Sequence, residues 1–249
     1  MNLTTSSSRS VGSLSRRQFV VSSALASGGL ALGFHFPAAA QANELSTLGG
    51  SEINAWVIVR PDDSCVIRVA RAEMGQGTHT GLAQLVAEEL ECDWAKVSLQ
   101  TFTPGQNLAR KRVWRNMSTG GSRGIRESHE YVRQGGAAAR MLLLQAAAAQ
   151  WNVPASELKV DKGIVTHPAS GQSTRYGLLA QAASRLPAPD PKSITLKHPR
   201  DWKLVGKSPR RLDTAAKVNG TLKYGIDTVL PGMQYATRSE EHTSELQSH

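Results

Sequence analysis

The chain has 249 residues, a formal net charge of +9 and two cysteines, a length that allows one or two domains with a sizeable core. Its basic residues are scattered apart from Arg110-Lys111-Arg112 and Arg115, with no comb of Lys and Arg interleaved with aromatics, which excludes nucleic acid as a partner. No C-x-x-C pair is present, so the chain carries no zinc or iron–sulfur ligand set of its own, and Cys65 and Cys92 read as small buried residues rather than as a disulfide.

The N-terminus runs through Ser15-Arg16-Arg17-Gln18-Phe19-Val20, then a broken apolar stretch, and closes on Pro37-Ala38-Ala39-Ala40-Gln41-Ala42. That order of polar, apolar and small residues is an export signal over residues 1–42. Its paired arginines predict the twin-arginine route, with cleavage after Ala40 or Ala42. The stretch is too short and too polar for a comfortable membrane span. The route places the mature protein in the periplasm, either free or membrane-associated. At the other end, Arg238 to His249 reads RSEEHTSELQSH and matches the translation of a common sequencing-library adapter. Residues 238–249 are therefore set aside from any functional reading, and the natural chain is expected to continue past residue 237.

Between these ends the pattern is mixed α+β. Residues 43–54 read as a mobile lead-in. Ala55–Arg60 and Cys65–Ala70 are strand patterns rich in β-branched residues, joined by Pro61-Asp62-Asp63-Ser64, and so predict a hairpin. Leu82, Leu85, Val86, Glu89 and Leu90 recur at helical spacing, which predicts a helix over Thr80–Glu91 capped by Thr78 or Thr80. Lys96–Phe102 alternates as a third strand. Residues 103–124 read as one long irregular loop, a feature often tied to function. A helix follows from about Ile125 to Trp151, ended by Asn152-Val153-Pro154. A hairpin at 158–166 turns on Asp161-Lys162-Gly163, and Arg175–Ser184 is a short helix. The Pro- and Lys-rich stretch 186–203 reads as a linker before a new segment at 204–237.

Two glycine-rich turns stand at helix starts. The first is Glu73-Met74-Gly75-Gln76-Gly77-Thr78-His79-Thr80. Glycine reaches positive φ and lets a ligand approach the backbone, and successive N–H groups in such a turn face one concavity suited to anionic oxygens. Gln76 adds donors and an acceptor that do not titrate. The turn is neither a P-loop nor a dinucleotide fingerprint, which would need glycine where Thr80 stands. The second is Asn116-Met117-Ser118-Thr119-Gly120-Gly121-Ser122-Arg123-Gly124, with Arg123 and Arg126 as candidate phosphate partners. Two such mouths fit one extended phosphate-bearing cofactor, and they equally fit two ordinary capped loops.

Three blocks carry a family resemblance: EMGQGTHTGLAQLVAEELECDWAKV, STGGSRGIRESHE and LVGKSPRRLDTAAKVNGTLKYGIDTVLPGMQYA. Together they resemble the molybdenum-binding large subunit of the xanthine oxidase family, of the isoquinoline 1-oxidoreductase beta subunit and FAD-independent aldehyde dehydrogenase type, over residues 50–237. The resemblance implies the N-terminal part of a molybdopterin-binding domain at 50–185 and the truncated start of a hammerhead domain at 204–237. It implies that Gly75, Gln76 and Gly77 line the molybdenum site, and that Ser118, Thr119, Gly120, Gly121 and Ser122 contact the pterin and its phosphate. The cofactor implied is molybdenum-molybdopterin in its cytosine dinucleotide form. The chemistry implied is hydroxylation of an aldehyde or an N-heteroaromatic carbon with oxygen from water, and the cofactor carries it. The partners implied are a small 2Fe–2S subunit, an electron acceptor such as a cytochrome, and a small-molecule substrate.

The family's basic glutamate lies in a late Gly-rich motif that Glu73, Glu88 and Glu89 do not match, so no catalytic residue is assigned in this chain. His79 reads as a solvated or capping residue, and Arg110–Arg115 as a solvated face rather than a subunit contact. The competing reading is an exported, non-catalytic module that binds an anionic ligand at the same two helix mouths.

Overall fold

A computed structural model describes residues 49–236; residues 1–42, expected to be an export signal, and the adapter-like stretch 238–249 lie outside the described residues. The mixed hairpins and helices expected for an α+β chain are present. β1 (Ser51–Asn54), β2 (Val57–Val59), β3 (Cys65–Arg68) and, after helix α1 (Thr78–Leu90), β4 (Val97–Gln100) form one sheet in that order. β2 and β3 make the expected hairpin, with Val57 opposite Ile67 and Val59 opposite Cys65.

β1 corrects the lead-in. Residues 51–54 pair antiparallel with β2, through a bulge between Glu52 and Asn54. Their polar residues hide the strand from pattern reading, because Glu52 is drawn to the buried Arg68 of β3 at 2.7 Å. β4 lies parallel to β3, Cys65 beside Val97, so α1 is the crossover of a β–α–β unit. The start of α1 therefore sits at the end of β3, where the EMGQG turn connects them.

The 103–124 stretch is less irregular than its composition suggests. Thr103 and Gln106 form a reciprocal capping box on helix α2 (Pro104–Ala109). A single 3₁₀ turn at Gly120–Ser122 leads into helix α3 (Arg123–Arg126), and then into the long helix α4 (His129–Trp151). Asn152 ends α4 in the left-handed conformation. β5 (Lys159–Asp161), β6 (Ile164–His167) and β7 (Gln172–Arg175) form a second antiparallel sheet, and helix α5 (Tyr176–Ala183) follows it.

One apolar core runs through these parts, from Val57, Ile67, Leu82 and Val86 to Leu142, Leu143, Tyr176 and Leu179. α1 and α4 approach closely because α4 carries Gly136. A Cβ there would stand 2.4 Å from the Val86 carbonyl oxygen. Gly135 does the same for Trp56, whose indole would lie 2.6 Å from an added Cβ.

Residues 197–213 run as a strap along α1, in the direction opposite to the helix. Lys197 Nζ meets Glu88 at 3.0 Å and Glu91 at 2.8 Å. One oxygen of Glu88 accepts the amides of Lys203, Leu204 and Val205. Gln84 donates to the carbonyls of Leu204 and Lys207. Thr80 Oγ1 accepts from the Leu212 amide at 3.1 Å. After the strap comes helix α6 (Thr214–Val218), and no strand is present among the described residues beyond β7. In that last part Val218, Ile226, Val229, Leu230 and Tyr235 are all exposed.

Candidate functional site

The EMGQG turn is shaped by one carboxylate. Glu73 Oε1 accepts the amides of Gly75 at 2.8 Å and Gly77 at 2.9 Å, and its Oε2 accepts the His79 amide at 3.0 Å. Gly75 at φ +103 and Gly77 at φ +86 bring those amides inward, a conformation other residues rarely adopt. Gly77, not a threonine, is the N-cap of α1, and no side chain of the cap residue itself bonds the helix. The expected threonine cap is thus replaced by Glu73, four residues before the cap. A carboxylate at a helix N-terminus satisfies orphan amides and faces the positive end of the helix dipole. Burial opposes the charged form of Glu73, but the amides of Gly77, His79 and Gly75 and the nearby Arg211 outweigh it, and the carboxyl is held below the usual range.

Arg211 on the strap closes the turn from outside. It donates to the Gly75 carbonyl at 2.6 Å and to Glu73 at 3.2 Å, and its other contacts go to Asp213 at 2.8 and 2.9 Å. The Arg211 guanidinium, with Lys217 beside it, holds the Asp213 carboxyl far below its ordinary value.

Gln76 is turned back on its own loop. Its Nε2 donates to the Ala72 carbonyl at 2.9 Å and to Thr78 Oγ1 at 3.0 Å, while its Oε1 accepts the Met74 amide at 2.6 Å. Both amide hydrogens are therefore spent within the turn.

The second loop meets the first at Ala72. Thr119 Oγ1 donates to the same Ala72 carbonyl at 3.2 Å, and the Ala72 amide donates to the Met117 carbonyl at 3.2 Å. Gly124 packs so closely on Thr78 that an added Cβ would lie 3.0 Å from its side chain. Buried Arg71 pins the loop from beneath: it donates to the Ser118 carbonyl, to Ser128 Oγ at 2.8 Å and to Glu127 at 3.4 Å. Gly75, Gln76, Ser118, Gly120, Gly121 and Ser122 are exposed around this junction, with Gly77 and Thr119 half-buried. The predicted site residues thus come together, although more than 40 positions separate the two turns in the chain.

Other candidates take structural parts. Arg123 Nε and Arg126 Nη2 donate to the carbonyls of Gly120 and Gly121, so both brace the loop and keep their remaining guanidinium donors. His79 Nε2 donates to the Arg71 carbonyl at 2.7 Å. Arg110 pairs with Glu52 and lies over the Trp114 ring, and Arg115 lies over the Tyr131 ring, so this basic run is more than a solvated face. A cavity of about 550 Å³ lined by Asn107, Leu108, Arg112, Arg115 and Met117 opens next to the second loop. Among the described residues no group of three or more His, Cys, Asp or Glu side chains is arranged to hold a metal ion.

A sequence model described as the molybdopterin cofactor-binding domain matches residues 16–229. The chain belongs to the molybdopterin cofactor-binding domain family. Among curated relatives it is 35% identical over 257 residues to the beta subunit of isoquinoline 1-oxidoreductase from Brevundimonas diminuta, covering 90% of this chain and 33% of that protein. It is 32% identical over 238 residues to a membrane-bound aldehyde dehydrogenase (pyrroloquinoline-quinone) of Gluconacetobacter polyoxogenes, covering 91% and 29%. A nicotinate dehydrogenase subunit from Pseudomonas putida is 30% identical over 188 residues, covering 75% and 15%. The chain spans about a third or less of the length of these relatives. Among solved structures, quinoline 2-oxidoreductase from Pseudomonas putida 86 matches with a TM-score of 0.39 at 16% identity, over 54% of this chain and 17% of that one.

At this junction the surface open to a ligand is the exposed backbone of Gly75. A Cβ at Gly75 would meet nothing within 4 Å, so glycine is needed there for its φ of +103 and not for want of space. The inward amides of the turn do not fit a bound oxyanion, because Glu73 already fills that place.

Proposed function

We propose that this chain is the N-terminal part of the catalytic subunit of a molybdenum hydroxylase acting on aldehydes or N-heteroaromatic rings. The observation that carries the reading is the junction at Ala72, where two glycine-rich turns converge within a chain of the molybdopterin-binding family. When bound, the molybdenum cofactor supplies two-electron oxidation of the substrate carbon with oxygen taken from water. The chain's own contribution is position. Gly75 and Gly77 admit close approach to the backbone, and Ser118, Thr119, Gly120, Gly121 and Ser122 form the opposing wall. Glu73 shapes the first wall, and Arg71 ties the two together, donating to the Ser118 carbonyl while its own carbonyl accepts from His79. Gln76 staples the first turn as folded, and reaches a cofactor atom only by turning outward.

On this reading the cofactor is the cytosine dinucleotide form, and electrons leave through a separate 2Fe–2S subunit to an acceptor such as a cytochrome. The export signal takes the folded protein to the periplasm by the twin-arginine route, and no helix of the described residues is long and apolar enough to cross a membrane. The exposed apolar residues at 218–235 are consistent with the start of a hammerhead domain whose sheet partners come later in the full-length protein. The rival reading, a module that captures anions at the two helix mouths, loses its basis at the first mouth, which Glu73 fills.

The test has two arms. The 249-residue chain, assayed for aldehyde or isoquinoline oxidation with a dye acceptor, is expected to show no turnover. The full-length reading frame, expressed with its small subunit, is expected to purify with about one molybdenum per chain by metal analysis. Full-length protein that folds and exports without molybdenum overturns the assignment.

A further inference from the structure

The concavity expected to hold an external anion is filled by a group of the chain itself. Three inward amides, from Gly75, Gly77 and His79, converge on the two oxygens of Glu73. The Glu73 side chain is only 11% exposed, and its cationic neighbour is Arg211, 138 positions away on the strap. Arg211 in turn is oriented by both oxygens of Asp213 and reaches the Gly75 carbonyl. We propose that Glu73 is the positioning residue of this turn: its carboxylate stands where a ligand anion would stand, and Arg211 locks it there. The glycine surface is thus preorganised before any ligand arrives, and its shape depends on the strap at 197–213. A phosphate-bearing ligand has to place its phosphate elsewhere, since the amides of this turn are already engaged.

The inference deepens the cofactor reading above, but its test contains no cofactor. Hydrogen exchange at the amides of Gly75, Gly77 and His79 is measured by NMR in the 249-residue chain. Glu73→Gln should speed exchange at these three amides by about tenfold, because a charge-assisted bond is replaced by a weaker neutral one, while amides at 85–90 in α1 keep their rates. Arg211→Met should speed exchange at the same amides by a smaller factor. In Glu73→Ala, added formate should slow the three amides again and move their resonances, and should do neither in the wild type. Inorganic phosphate should leave the three resonances of the wild type unmoved. Unchanged exchange in Glu73→Gln, equal acceleration across the whole of α1, absence of formate rescue, or a wild-type phosphate response at these amides would each overturn the proposal. The cofactor assignment would survive any of these results, because it stands on molybdenum content.

Discussion

Glu89→Ala tests how the scaffold of the site is held. Glu89 is fully buried where α1, α4 and the strap meet. Its Oε1 accepts from Arg133 Nε at 2.8 Å, and both oxygens take the Lys197 amide, at 3.1 and 3.3 Å. Arg133 is itself about 9% exposed, lies over the Trp202 ring and donates to the Lys197 carbonyl at 2.6 Å. Alanine at 89 leaves that guanidinium without its counter-charge where water hardly reaches, and the Lys197 amide without an acceptor. Breaking one side of a buried pair costs about 3–5 kcal/mol. With a urea slope of about 2 kcal/mol/M, the unfolding midpoint falls by about 2 M. The assay is equilibrium urea unfolding of the 249-residue chain, followed by far-UV circular dichroism. The double variant Glu89→Leu with Arg133→Met removes both charges at similar volume and should recover most of the loss, with a coupling energy above about 1 kcal/mol. A Glu89→Ala protein within about 1 kcal/mol of wild type refutes the reasoning. So does a double variant no more stable than the single one.

Gly136→Ala should lower the thermal midpoint by more than Gly75→Ala. The first drives a Cβ to 2.4 Å from the Val86 carbonyl across a helix–helix contact, whereas the second strains only an exposed backbone at φ +103; differential scanning calorimetry compares the two. Glu88 predicts part of the acid limb of stability. Burial opposes its ionisation, but the amides of Leu204 and Val205, the Lys197 ammonium and the Lys203 amide outweigh it and hold its pKa below the ordinary carboxylate value. Its contribution is therefore complete above the unfolded-state pKa and is lost as pH falls through the lower folded-state value. Glu88→Gln should accordingly flatten the fall in urea midpoint from about pH 5 downward, and an unchanged pH slope would contradict this. Arg71→Met should release the second loop while leaving the strands intact. Limited proteolysis is expected to cut first between residues 116 and 124, whereas an uncut loop would show that Arg71 does not hold it.

Several elements were legible from local chemistry. The Val57–Val59 and Cys65–Arg68 hairpin followed from β-branched runs around Pro61-Asp62-Asp63-Ser64. α1 followed from apolar spacing; the single helix expected from about Ile125 to Trp151 is split into α3 and α4, and its stop followed from Asn152-Val153-Pro154. β1 and β7 were not legible. Glu52 and the polar run Gln172–Arg175 lack strand composition, and each is recruited by pairing with a neighbour. α2 was hidden by composition too, although Thr103 and Gln106 carry the capping-box spacing that would have revealed it.

The sequence by itself determined the two glycine turns, the residue types at them and the family they belong to, because those properties are carried by short contiguous stretches. It did not determine which group answers the inward amides. A glycine-rich turn before a helix specifies a cradle and leaves its occupant open. Only the tertiary structure decides that Glu73 fills it, because the deciding partner, Arg211, arrives from the far end of the strap. Likewise the local pattern around Glu88, Glu89, Arg71 and Arg133 names no partner for any of them. Packing buries them, and burial turns each into a bond between elements distant in sequence.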